Sequence, residues 1–175
     1  MLPRTYSEQT CSIARTLEVV GERWTLLILR DAFLGIRRFD DFQRQLEMSR
    51  SVLTGRLAEL VDADLLRREP YQERPTRYDY LPTEKALELW PALVALAGWG
   101  SRHATPDGPP REFFHEACGT TVEAAVHCPH CDVNLTAEDA GSRPGPGYRE
   151  DPSLPDELGA ALARPRPLLA DARTG

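Results

Sequence analysis

Apolar residues recur along the first hundred positions with two different periods. Ile13, Leu17 and Val20 fall three or four residues apart, the spacing of one helix face, until Gly21 interrupts them. Trp24 to Leu34 is apolar nearly all round, with Leu26, Leu27, Ile28 and Leu29 in succession, which predicts a central core helix ended by Gly35. Phe39, Phe42 and Leu46 predict a short third helix, and Glu47-Met48 a turn. Ser49 is then a good N-cap for a helix running to about Ala63, with Leu53, Leu57 and Leu60 facing inward. Beyond it the period shortens. Leu65-Leu66-Arg67-Arg68 and Tyr78-Asp79-Tyr80-Leu81 read as two strands. Between them Glu69 to Arg77 contains Pro70 and Pro75, so it reads as a stiffened hairpin loop rather than strand interior. Thr83 caps a last helix with Ala86, Trp90, Leu93 and Ala97 on one face, and Pro91 inside it predicts a kink or a restart.

The pattern predicts a mainly α chain with a small β-hairpin wing, a winged helix-turn-helix over residues 5–103. Residues 104–110, Ala-Thr-Pro-Asp-Gly-Pro-Pro, read as a linker, and residues 111–140 as a small Cys/His module. From Gly141 the chain is rich in Pro, Gly and Arg, with six prolines between Pro144 and Pro167. That composition predicts a mostly disordered tail over 141–175, with a candidate short helix near Leu158–Ala163. The 175 residues suffice for one core plus an appendage. No run approaches the ~18 apolar residues of a membrane helix, and Met1 to Tyr6 has no apolar signal region, so a cytoplasmic protein without a membrane partner is expected. No Gly-rich phosphate loop, nucleophile elbow or paired-carboxylate site stands out, and no enzyme is expected.

A formal net charge of −6 argues against binding nucleic acid with the whole surface. The charge is uneven, however. Residues 37–78 carry nine Arg against eight acids and form the only positive block. If Leu53, Leu57 and Leu60 point inward, then Arg50, Ser51 and Thr54 point outward near the capped end at Ser49, the part of a second helix that enters a major groove. Arg donates two hydrogen bonds to guanine, and hydroxyls meet bases or phosphates. Arg56 and Gln43 are candidate backbone contacts. In the wing, Arg74 and Arg77 flank Pro75-Thr76 and can enter the minor groove or clamp phosphates. Amphipathic helix pairs with a few outward Arg also occur in domains that dock protein, so the basic wing is the discriminating feature.

Four cysteines are present, three of them clustered. His115-Glu116-Ala117-Cys118-Gly119 and Cys128-Pro129-His130-Cys131 make two short knuckles, with nine residues between Cys118 and Cys128. Such a pair brings four N/S ligands together in a zinc ribbon, and thiolates favour zinc over magnesium or calcium. The candidate ligands are His115, Cys118, Cys128 and Cys131, with His127 and His130 competing for the histidine position. A segment this short cannot bury its own core, so a structural zinc ion would supply its folding energy. Cys-Pro-His-Cys is also a disulfide-oxidoreductase tetrapeptide, but the βαβ unit that chemistry needs has no room here. Unligated, reduced thiols in a flexible segment are the remaining alternative. Cys11 stands apart at the start of the first helix, where the helix dipole favours a thiolate, although a thiol on an apolar helix is more commonly inert.

The run Cys11-Ser-Ile-Ala-Arg-Thr-Leu-Glu-Val-Val-Gly-Glu-Arg-Trp-Thr-Leu-Leu-Ile-Leu-Arg-Asp31 resembles the opening of the HxlR-type winged-helix regulators, relatives of the MarR type. So do Gly35 with Arg38-Phe39, Val52-Leu53 with Arg56-Leu57, and Arg74-Pro75-Thr76-Arg77-Tyr78 followed by Tyr80-Leu81-Pro82-Thr83-Glu84. The resemblance covers residues 5–103. One departure is Pro82-Thr83-Glu84-Lys85-Ala86, where the family usually has Leu-Thr and a Gly after the Lys. The resemblance implies a bacterial transcription regulator that binds double-stranded DNA as a homodimer, with the first and last helices pairing and a wing beside each major-groove helix. Trp90, Leu93, Val94 and Trp99 supply more apolar surface than one small domain needs, although ordinary core packing would also account for them. Some members sense oxidants through a Cys near position 11, which makes Cys11 a candidate redox sensor. The expected function is therefore a sequence-specific regulator, a repressor, on a palindromic operator with no effector identified. The alternatives are a zinc-ribbon protein-interaction module and a thiol-based redox sensor.

Overall fold

The computed structural model of the protein describes residues 11–122 and 126–173. The expected start of the winged domain, residues 5–10, and the last two residues of the tail lie outside the described residues.

Six helices and a hairpin build the N-terminal part. Helix α1 (Ser12–Val20) leads through Gly21 into α2 (Arg23–Phe33), where the Glu22 carboxylate accepts the Trp24 N–H at 2.8 Å. Ile28, Leu29, Ala32 and Phe33 of α2 are buried, as the unbroken apolar run requires. Helix α3 (Phe39–Leu46) buries Phe42 and Leu46, and Glu47 turns the chain in the left-handed region at φ 49°. Helix α4 (Arg50–Asp62) then inserts Leu53, Leu57 and Leu60. Its cap is the expected one, with Ser49 Oγ accepting the Val52 N–H at 3.4 Å. The wing pairs β1 (Leu66–Glu73) with β2 (Thr76–Pro82), antiparallel. Helix α5 (Glu84–Leu87), capped by Thr83, ends after one turn, and α6 (Trp90–His103) restarts with Pro91 in its first turn, where a missing N–H costs nothing.

One sequence expectation is corrected here. The hairpin is not strand–loop–strand around Glu69–Arg77. Pairing continues through Pro70, beside a bulge between Pro70 and Gln72, to a turn at Arg74-Pro75. Pro70 is exposed, and the bulge removes the need for its missing donor. Helix α1 forms over the expected apolar spacing, and that stripe is buried only at its end. Val20 is buried, but Ile13 is 70% and Leu17 46% exposed.

The larger correction concerns residues 141–173. Strands β3 (Arg111–His115), β4 (Thr121–Val122), β7 (Ala140–Pro144) and β8 (Arg166–Pro167) form one sheet in the order β4-β3-β7-β8. Strands β5 (His127–Cys128) and β6 (Val133–Asn134) form a separate hairpin. Helix α7 (Asp156–Leu162) covers the candidate helix and buries Leu158, Ala161 and Leu162. Ala137, Ala140, Leu158, Leu162, Leu168 and Ala172 join the same core as the α2 and α4 leucines. Trp90 is the joint: its ring stands edge-on to Phe33 of α2 at 6.1 Å and to Phe113 of β3 at 4.7 Å.

The segment expected to be disordered is therefore a strap, held by long arginines and by backbone. Leu169 N–H donates to Phe33 O at 2.8 Å and Ala172 N–H to Gly35 O at 3.1 Å. Arg166 donates to Leu34 O and Ala170 O, and Arg37 to Leu169 O. Arg173 grips both oxygens of the buried Asp41 on α3 at 2.6 and 2.7 Å. Composition suggested disorder because Pro, Gly and Arg are poor core residues. Here Arg side chains satisfy carbonyls of the α2–α3 corner, and the few apolar residues are the buried ones.

Gly35 sits at φ +84°, and an added Cβ would lie 1.8 Å from Ala170 O. Gly35→Ala is expected to cost at least ~1–2 kcal/mol, from the left-handed backbone alone, and to lower the midpoint of one transition reported equally by winged-domain and tail probes. Two separate transitions by circular dichroism and tryptophan fluorescence would show that the strap is not part of the shared core.

Candidate nucleic-acid interface and metal centre

The N-terminal turns of α4 are the most exposed polar part of the helix pair. Arg50 is 71% exposed at its side chain, stacked 4.7 Å over Phe39 and 3.5 Å from Asp40. Ser51 and Thr54 are exposed; the Thr54 hydroxyl donates to Arg50 O at 2.8 Å, and the Ser49 and Ser51 hydroxyls lie 3.3 Å apart. The three buried leucines on the opposite face fix this presentation. Arg56 is different. It reaches Glu59 at 2.5 Å and Glu22 at 3.8 Å and is mostly covered, so it ties α4 to the start of α2.

Arg74, Thr76 and Arg77 are all exposed at the wing tip. The Thr76 hydroxyl donates to Glu73 O at 3.1 Å. The guanidinium groups of Arg74 and Arg77 have no ion-pair partner among the described residues. Sequence reading passed over Arg68, which lies on β1 over the Tyr78 ring at 5.2 Å and shares a notch with Thr54, Ala58 and Tyr80 between helix and wing. The strand alternation could have found it, since Arg68 pairs with Tyr80 across the hairpin.

The structure brings together the four expected metal ligands. One ligand atom each from His115, Cys118, Cys128 and Cys131 lies within 4.8 Å of all the others. His115 ends β3, and a tight turn returns the chain: Gly119 N–H donates to His115 O at 2.7 Å, with Gly119 at φ +72°. Cys128 is buried at the end of β5, and Asp132 N–H closes the second knuckle onto Cys128 O at 2.9 Å. Cys118 Sγ lies 3.2 Å from His115 Nδ1 and 3.4 Å from Cys128 Sγ. Zinc–sulfur bonds of ~2.3 Å in a tetrahedron need sulfurs ~3.7 Å apart, so the cluster can hold a metal ion with little movement. His127 is used elsewhere, with Nδ1 3.2 Å from Asn134 Oδ1 and Nε2 3.5 Å from Asp132, and the cluster does not include the exposed His130. Of the three candidate histidines, His115 is the one whose ring lies in the cluster.

The sulfurs are electrostatically unequal. A hydrogen bond from the Thr120 hydroxyl, with help from the neighbouring thiols, brings the Cys118 thiol down to about 6. Cys131 is pushed up to about 11, first by its hydrogen bond to Cys118. A packed thiol set without a cation shares protons in this way, and a bound cation favours all of the thiolates.

Cys11 is exposed at the N-cap position of α1 and makes no side-chain cap. Of the apolar residues expected to be in surplus, Trp90 and Val94 are core, whereas Trp99 is 58% exposed with Leu96 on α6. Among the described residues no helix is long and apolar enough to cross a membrane.

Comparison with known proteins places these features in a family. The profile of the HxlR-like helix-turn-helix matches residues 19–108. An uncharacterized HTH-type transcriptional regulator of Mycobacterium tuberculosis strain H37Rv is 43% identical over 139 residues, covering 79% of this chain and 88% of the relative. The crystal structure of PA1607, a candidate transcription factor, superposes with a TM-score of 0.61 at 33% identity over 77% of this chain and 94% of that one. The redox regulator HypR in its oxidized form matches 53% of this chain and 97% of its own, with a TM-score of 0.50 and 29% identity. With its capped second helix, arginine-tipped wing and matched profile, the chain belongs to the HxlR-like helix-turn-helix family of transcriptional regulators.

Proposed function

We propose that the protein binds double-stranded DNA as a homodimer on a palindromic operator and represses transcription by occupying it, in the cytoplasm. The observation that carries this reading is the outward row Ser49, Arg50, Ser51 and Thr54 at the start of a helix anchored by three buried leucines, beside two unpaired arginines at the wing tip. Arg50 and Thr54 read base edges in the major groove, Ser49 and Ser51 meet phosphate at the helix N-terminus, and Arg74, Thr76 and Arg77 hold the adjacent backbone or minor groove. Arg56 contributes by positioning α4 and reaches phosphate only if its pairs with Glu22 and Glu59 open. The exposed apolar residues of α1 and α6, Ile13, Leu17, Leu96 and Trp99, supply the surface that a second copy covers, and pairing doubles the base contacts of one recognition helix.

His115, Cys118, Cys128 and Cys131 hold a structural zinc ion in this reading, which pins the β3 turn to the β5–β6 hairpin beside the shared core. The chemistry of one nitrogen and three sulfurs suits zinc, and no catalytic role is assigned to it. A second reading has one observation in its favour. Cys11 is exposed rather than buried, and the similar HypR is a redox regulator, so oxidation of Cys11 would modulate DNA binding.

Affinity for the DNA flanking the coding region is expected to exceed that for unrelated DNA by ~10³ or more, with a steep salt dependence. Equal, salt-insensitive binding to both would favour a protein-docking module. Arg50→Ala and Thr54→Ala should each lose ~1–3 kcal/mol of sequence discrimination, whereas Arg77→Ala should weaken all sequences alike and reduce the salt slope by ~1. The opposite assignment in a binding titration would show that the wing reads sequence and the helix does not. Metal analysis of the purified protein should find one zinc per chain, lost in Cys128→Ser but kept in His127→Ala and His130→Ala; retention in His115→Ala would refute the ligand set. Oxidant sensitivity of DNA binding that survives Cys11→Ser would remove the second reading.

A further inference from the structure

Between α6 and the C-terminal sheet lies a cavity of about 300 Å³ that the DNA-binding reading does not use. This is the lower end of the ~300–1,000 Å³ range of small-molecule sites, and a seam between two packed units is a common place for one. Ala97 and Gly98 of α6 form one wall, and their small side chains leave the space open. Phe113 and Val122 of β3 and β4 form the opposite wall.

The charged lining is unbalanced. Arg102, Arg111 and Glu112 border the cavity. Glu112 is already neutralised, since Arg143 holds its carboxylate at 2.9 Å. Arg102 is exposed and has no ion pair among the described residues. Arg111 donates to Leu162 O at 2.7 Å and lies 5.1 Å from the Tyr148 ring, but among the described residues no carboxylate comes within ion-pair distance. Its nearest acidic influence, Asp31, is fully buried and already paired with Arg30 at 2.7 Å, and burial pushes its carboxyl above the ordinary range. Two arginines thus border a largely apolar space, and among the described residues no unpaired carboxylate lines it.

We propose that this cavity binds a small anion with an apolar body, a monocarboxylate of short-chain acyl or single-ring size, its carboxylate between Arg102 and Arg111 and its body between Ala97–Gly98 and Phe113–Val122. The opposite face of α6 carries the exposed Leu96 and Trp99, so an occupant would press on the helix assigned to dimer pairing. That consequence rests on the regulator reading; the binding itself does not.

The test is calorimetric titration of the full-length protein with octanoate and with benzoate, using 1-octanol and benzyl alcohol as neutral counterparts. Saturable binding of one anion per chain is expected, at least tenfold tighter than its neutral counterpart. Arg102→Gln should weaken it at least tenfold, and Ala97→Phe, which fills the space from an exposed helix position, should abolish it. Unchanged near-ultraviolet circular dichroism and zinc content would show that both variants keep the fold. The proposal is overturned if neither anion binds, if the alcohols bind as well as the anions, or if both variants bind octanoate like the parent protein. Because the readout contains no DNA, failure here leaves the DNA-binding assignment standing, and failure of that assignment leaves this one standing.

Discussion

Trp90 is the side chain on which the two halves of the molecule depend. It is almost fully buried, edge-on to Phe33 of the winged domain and to Phe113 of the C-terminal sheet. Its indole N–H has no partner among the described residues. An unpaired buried donor costs ~1–3 kcal/mol. Burying 150–250 Å² of aromatic surface contributes roughly 4–6 kcal/mol, so packing prevails. The helix restart at Trp90-Pro91 places the indole there, since a continuous α5–α6 helix would carry it round with the preceding turn.

From that joint, order spreads in two directions. Toward DNA, the strap over residues 164–173 closes on the α2–α3 corner, and the Arg173–Asp41 pair joins the end of the chain to the first helix of the helix-turn-helix. Asp41 is buried, and a buried carboxylate left without its partner is strongly destabilising. The strap is thus a constraint on α3 and, through α3, on the angle of α4. Arg56 adds a second constraint from the other side by bridging to Glu22. Away from DNA, β3 leads from Phe113 within two residues to His115, so the metal cluster hangs on the strand that packs against Trp90. A metal ion at the cluster would not have to supply the whole folding energy of the small sheet, because that sheet shares the winged domain's core.

Much of the fold was legible because its signals are local. Helix faces, the Ser49 cap, the turn at Glu47 and the two metal knuckles are set by residues within a few positions of each other. The same holds for the three cysteine ligands and for the exposed tip arginines. The extent of the hairpin was not legible, because Pro70 reads as a strand breaker until the bulge that accommodates it is seen. The α1 stripe was legible as a helix face, but helical periodicity shows that a face is apolar and not what covers it.

The sequence by itself determined the winged helix-turn-helix, its capped second helix and a cluster of cysteines with a histidine, because periodicity, capping and short spacing act over one or two turns of chain. Only the tertiary structure decided which histidine joins that cluster, that Arg56 is tied to Glu22 and Glu59, and that the proline-rich end is an ordered strap. The strap depends on contacts such as Asp41 with Arg173 and Phe33 with Leu169, between residues more than 130 positions apart in the sequence. Composition averages over a segment, whereas a strap of this kind is held by a few long side chains whose partners lie in another part of the chain.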